Sequence, residues 1–327
     1  MLFRSEAAGE GDAAGRWQRE YDDYRKTFLA VLEGATRRNG GAFPPALDAE
    51  GWPGTDWGNL LAITPEPLFD PFDPRVSATL GRSQANYQEG IATYREPDDG
   101  IFLHHYLTIK NTLTELVRGE QEQAIREFYA ELLHTSSTHA GFEYAIRPWG
   151  MRDFEGNLAP HGWFAADYRN LLRNMMVRED GDTLHLLSAV SPEWIGAGKT
   201  IRVADAPTEF GLIDFALETA TDDSAVLRID AKFVAAPRVL VLHLPWFMAV
   251  DSVTADGAPA AVRDRAVSFP PGVHEIRLRW RRLAGAPEMS YARTVESYKA
   301  EYRHRYERLL ATGESAPAAD TRRVPAN

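Results

Sequence analysis

The chain has 327 residues, 44% of them hydrophobic and 25% charged, with a net charge of −11 and no cysteine; that suits a globular chain of about two domains. The acidity argues against nucleic acid, whose phosphates need a basic face, and against an anionic membrane surface, while the missing cysteines remove disulfides, thiol catalysis and thiolate zinc sites. No apolar run reaches about 18 residues, so no membrane span is expected, and the opening "MLFRSEAAGEGDAAG" lacks the apolar core of a secretory signal.

From Asp12 onward, Trp17, Tyr21, Tyr24, Phe28, Val31 and Leu32 recur at steps of three and four. The spacing predicts an amphipathic helix, stopped by Gly40–Gly41 after Arg37 and Arg38. Residues 42–75 hold seven prolines and little periodicity. A long irregular segment of this kind more often covers a site than lies idle. Helical spacing returns over Val76–Tyr94 and is clear at Tyr106, Ile109, Leu113 and Leu116. Gly119 separates these from Ile125, Phe128, Tyr129, Leu132 and Leu133, so 103–117 and 120–134 read as a helical hairpin. The next stretch, "THAGFEYAIRPWGMRDFEGNLAPHGW" from Thr138 to Trp163, has no clear period. It sets Glu143 among Phe142, Tyr144 and Trp149, where a carboxylate is costly to dehydrate. A further helix follows, with Phe164, Tyr168, Leu171, Leu172, Met175 and Met176 on one face.

Then the period changes. Short alternating runs such as "SAVLRIDAKF" and "HEIRLRWRRL" are bounded by turn residues, with Asp256–Gly257 a strong hairpin signal. They predict an antiparallel β-sandwich over 181–283. Tyr291–Leu310 reads as a charged surface helix that packs Tyr291, Tyr298, Tyr302 and Tyr306 onto the body, and "GESAPAADTRRVPAN" reads as disordered. The expected fold class is α+β multidomain: helical hairpins over 1–180, the sandwich over 181–283, and a helix with a tail over 284–327.

Several loops carry acids beside aromatic rings. Asp56 adjoins Trp57; Glu89 lies between Tyr87 and Tyr94; the unpatterned stretch holds Glu143, Arg147, Trp149, Asn157 and His161. In a stack of hairpins alternate loops gather at one end, so such carboxylates can meet across an aromatic-lined pocket. Hydrolysis of a glycosidic bond needs one carboxyl group to protonate the leaving oxygen and another to activate water or attack. Aromatic surroundings raise a carboxyl pKa and a nearby Arg lowers it, which separates the two roles. Plainer readings exist for each residue: Glu143 paired with Arg147, Asp56 as a helix cap, His161 as a helix-start residue. The adjacent His104 and His105 point apart and no HExxH spacing occurs, so no metal is expected, and no cofactor. No GxGxxG, GxxxxGK[ST] or GxSxG pattern supports a nucleotide enzyme or serine hydrolase.

The order of these motifs resembles the C-terminal half of six-hairpin, (α/α)6-toroid glycoside hydrolases, in particular the α-L-rhamnosidase-like members. Thr55–Asp56–Trp57 stands where that group has a G-D-W loop. Thr138 and "GFE" ending at Glu143 stand for T-x-[WF]-E, and Asn157 follows. "PHGWFAADYRNLLRNMM" from Pro160 then opens a long helix before the strands. The resemblance covers roughly residues 12–283. It implies a partial (α/α)6 toroid followed by a β-sandwich, Glu143 as general base and Asp56 as a binder of substrate hydroxyls. Two departures stand out: Thr55 replaces the glycine before Asp56, and Thr138 lies five residues before Glu143 rather than three. The group's general acid lies in the first half of the ring, so this chain is expected to be one part of such a protein. Self-association or a missing N-terminal half would then cover its open helix faces. The expected function is inverting glycoside hydrolysis on a carbohydrate substrate, with carboxyl groups roughly 6.5–9.5 Å apart. Glu143 is the catalytic candidate; Asp56, Trp57, Glu89, Arg147, Trp149, Asn157 and His161 are substrate-binding candidates. The alternatives are a polysaccharide lyase using Tyr144, Arg147, Asn157 and His161, and a non-catalytic carbohydrate-binding or assembly subunit.

Overall fold

A computed structural model describes residues 8–48, 59–64, 67–96, 100–143, 146 and 158–313. The chain divides into two compact units, one ending at Ser83 and one starting at Gln84, a boundary that the sequence does not mark.

In the first unit, helix α1 spans Gly11–Arg38, with Asp12 in its first turn and Arg37 and Arg38 in its last, charges that suit the helix dipole. Gly40 and Gly41 follow at positive φ and turn the chain. Leu32 joins Phe43, Leu60, Ile63, Val76 and Leu80 in a small core, closed by the turn Asn59–Ala62 and helix α2, Pro74–Ala85. The Phe43 N–H donates to Thr79 Oγ1 at 2.8 Å, and the Arg82 guanidinium donates to Asn39. Only Ala14, Leu32, Ala35 and Thr36 of α1 are buried. Tyr21, Tyr24 and Val31, part of the expected stripe, lie exposed.

The helical period expected as far as Tyr94 stops at Ala85. Glu89 and Gly90 both adopt positive φ and close a two-residue turn between Gln88 and Ile91, which is the geometry of a tight hairpin. Tyr94 therefore sits on strand β1, Thr93–Glu96, paired with β2, Gly100–Leu103. Helices α3, His105–Arg118, and α4, Gln121–Leu133, form the expected hairpin, and Gly119 turns it at φ 74°. Helix α5, Gly162–Met176, packs beside them. Ile109, Leu113, Ile125, Phe128, Leu171 and Met175 fill their shared core. Helix α3 is buried on all sides, with Thr108, Asn111, Thr112, Thr114 and Glu115 inside as well as the apolar stripe.

Two sheets follow. The larger has the order β10 (Ala258–Pro259), β9 (Met248–Ala255), β12 (Glu275–Arg282), β7 (Ser224–Phe233), β6 (Gly211–Thr221), β5 (Lys199–Thr208). The smaller has β11 (Ala266–Phe269), β8 (Val239–His243), β4 (Thr183–Leu186), β3 (Val177–Asp180). Alternate residues such as Ile213, Phe215 and Leu217 from one sheet and Leu184, Leu186, Leu240 and Leu242 from the other share one core, as the period of two requires. Asp256 and Gly257 turn β9 into β10. One pairing corrects the all-antiparallel expectation: β4 and β8 run parallel, because β5, β6 and β7 of the other sheet intervene between them in sequence. Helix α6, Tyr291–Thr312, closes the described chain, with the Ser290 hydroxyl accepting from the Arg293 N–H. The mix of helices with mainly antiparallel sheets is an α+β fold.

Candidate functional site

Loops meet at one end of the α3–α4 hairpin. Residues 86–104 lead into α3, and residues 134–161 join α4 to α5. The Leu103 N–H donates to the Ile146 carbonyl at 2.8 Å, and the Ile146 N–H returns to Leu103 at 3.4 Å. The Phe142 N–H donates to His105 Nε2 at 3.2 Å. Within the second loop the Glu143 N–H donates to the Leu158 carbonyl and the His161 N–H to the Gly141 carbonyl, each at 2.9 Å. Gly141 is required here: a Cβ at that position would stand 2.1 Å from the Phe164 ring.

These loops and α6 enclose a cavity of about 630 Å³. Glu89, His134, Ser136 and Phe142 line one side; Tyr298, Lys299, Tyr302, Arg303 and Tyr306 line the other. The Glu89 carboxylate is buried, with Oε2 3.8 Å from His134 Nε2. The Tyr298 phenol donates to the Glu89 backbone carbonyl and lies 3.3 Å from His134 Nε2. Burial, then the Glu89 charge, push the Tyr298 pKa well above its ordinary value, so this phenol keeps its proton.

Beside the second loop runs a ladder of rings. Tyr94 and His104 are 4.9 Å apart, His104 and Tyr106 4.8 Å, Tyr106 and His161 4.9 Å, and His161 and Trp163 5.8 Å. Trp163 is 68% exposed at its end. Burial lowers His104 to about 4. His161 is buried, and its Nδ1 has no hydrogen-bond partner.

A third cluster lies inside the hairpin, and none of its acids lines the cavity. Glu115, Glu127 and Glu131 are wholly buried. The Thr112 hydroxyl is 2.7 Å from Glu127 Oε2 and 2.8 Å from Glu131 Oε1. One hydroxyl hydrogen serves one of these contacts; the other needs a carboxylic acid donating to Thr112. Burial is the main cause that raises all three acids, Glu127 to about 7. The Gln84 amide donates to Glu115, and Lys110 Nζ pairs with Asp167 at 2.9 Å.

Of the residues expected to form the site, Glu89 lines the cavity. Glu143 is half-buried, one residue beyond Phe142, whose ring lines the cavity. His161 belongs to the ring ladder instead. Asp56, Trp57, Arg147, Trp149 and Asn157 lie outside the described residues. Among the described residues no group of three His, Asp or Glu side chains is arranged to hold a metal, and no helix is long and apolar enough to cross a membrane. His134 and the lining face of α6 were not singled out from sequence as site residues. The visible signal was Tyr298, Tyr302 and Tyr306 at four-residue steps, which read equally well as simple packing.

No family model matches the chain, and no curated protein matches it. Among solved structures it is similar to a glycoside hydrolase, with 11% identity, a TM-score of 0.38, and 68% of this chain against 45% of that one. It is also similar to the α-L-rhamnosidase from Dictyoglumus thermophilum, with 11% identity, a TM-score of 0.48, and 86% of this chain against 30% of that one. The chain spans less than half the length of either.

Proposed function

We propose that the protein acts on carbohydrate as part of a glycoside hydrolase, with Glu143 as general base and the Glu89 cavity as the sugar-binding hollow. One observation carries this reading: a buried carboxylate and three tyrosines surround one cavity at the end of the helices where the Glu143 loop also lies. The apolar face of a sugar ring suits the tyrosine faces, and its hydroxyls donate to the Glu89 carboxylate. Glu143 takes a proton from water as the water oxygen attacks the anomeric carbon; the bond to the leaving oxygen breaks, and that oxygen keeps the electron pair. A separate acid protonates the leaving oxygen of a natural substrate.

A nitrophenolate leaves without a proton, so aryl glycosides report on the base alone. The full chain is expected to release 4-nitrophenol from at least one member of a nitrophenyl glycoside panel. Glu143→Gln should lower the rate by about 10²–10⁴ while retaining sugar binding, and Glu89→Gln should weaken binding. If the chain neither cleaves nor binds any sugar, the reading is wrong. A binding-only role is the second reading, favoured by one fact: Glu89 is the one carboxylate among the described cavity-lining residues. Binding without cleavage, indifferent to Glu143→Gln, would select it.

A further inference from the structure

We propose that helix α6 is the specificity wall of this cavity and that the saccharide it takes carries a carboxylate, as a uronic acid does. The inference rests on the cavity being a sugar site. Lys299, Tyr302, Arg303 and Tyr306 all line the cavity. Their spacing of i, i+3, i+4 and i+7 puts them on one face of the helix. Tyr298, one turn earlier, is tied inward by its bond to the Glu89 carbonyl. Tyr302 and Tyr306 are 45% and 52% exposed, so their rings border the opening and offer faces to a sugar ring.

Arg303 lies between those two tyrosines in sequence and lines the same cavity. The neighbouring cations Lys299 and Arg305 are paired within α6, with Glu296 at 2.9 Å and Glu301 at 2.8 Å. Arg303 forms no ion pair among the described residues. A guanidinium offers a planar fork of donors that fits the two oxygens of a carboxylate. The cavity is thus polarised, with the buried Glu89 carboxylate on the loop side and the Arg303 cation on the helix side. A sugar with hydroxyls on one edge and a carboxylate on the other satisfies both; a neutral sugar leaves Arg303 to solvent.

The test is calorimetric titration of the full chain with galacturonate, glucuronate and mannuronate oligosaccharides. Each is compared with its methyl ester, which keeps the ring and removes the charge; neutral oligosaccharides serve as a further arm. At least one acid should bind about tenfold more tightly than its ester. Arg303→Gln should bring that acid down to the level of its ester. Tyr302→Ala should weaken acid and ester alike, with unchanged circular dichroism reporting an intact fold. Equal binding of acid and ester, or a preference that survives Arg303→Gln, overturns the acidic-sugar inference and leaves the sugar site standing. Binding of neutral oligosaccharides alone does the same. Absence of binding by every saccharide overturns both.

Discussion

Thr112 has one hydroxyl hydrogen for two buried carboxyl oxygens, and that shortage sets the protonation of the α3–α4 interface. Burial raises Glu127 from 4.5 to about 7, and Glu115 and Glu131 move the same way. The folded chain therefore binds more protons than the unfolded chain between those pH values. Their stabilising contribution is complete below 4.5 and is lost as pH rises through the folded values. Buried imidazoles act in the opposite sense. Burial lowers His104 to about 4, His185 to about 3 and His243 to about 4. His185 Nδ1 lies 2.9 Å from His243 Nε2, so one ring donates to the lone pair of the other, and protonating both removes the bond. The unfolded chain takes up these protons first, so stability rises with pH from about 3 to 6.5. The melting temperature should thus pass through a maximum in mildly acidic buffer, and Glu127→Gln should flatten its alkaline limb. An alkaline decline as steep in Glu127→Gln as in the parent would refute the assignment.

Among the elements, the second loop depends on one backbone contact. A methyl group at Gly141 would meet Phe164, which is packed in the helical core. Gly141→Ala should cost about 1–3 kcal/mol in urea unfolding and should also displace Glu143, two residues on, lowering glycoside release. Gly119→Ala is the matched control: its φ of 74° penalises a side chain by about 1 kcal/mol, yet open space surrounds it, so activity should hold. Some elements could be read from residues alone. The α3–α4 hairpin was legible because two apolar stripes flank a glycine, and β9–β10 because Asp-Gly is a two-residue turn. The tight turn ahead of β1 was not: Glu89–Gly90 closes the Gln88–Ile91 pair without the usual Asn or Asp, and Glu at positive φ is uncommon. The buried acids were not legible either, because helical periodicity locates a polar face without saying whether water or another helix covers it. Of the site, Glu89 stood out as an acid among tyrosines. The opposite wall of its cavity comes from α6, and no local pattern shows that two distant segments touch.

For the whole molecule, burial is unevenly spread. Helix α3 has ten buried residues in fourteen, whereas α1 has four in twenty-eight. Amides that sit over few buried contacts open at low free energy. In native-state hydrogen exchange the N-terminal turns of α1 should exchange first, and α3 should exchange last among the helices. Protection of α1 equal to that of α3 would contradict this order.

Tyr298 is separated from Glu89 by 209 positions and from His134 by 164, yet the three meet in one hollow. During synthesis the acid and the imidazole emerge early, and both sheets follow before the phenol that joins them. The newborn polypeptide therefore gains the α6 wall of this hollow only after both sheets have been made.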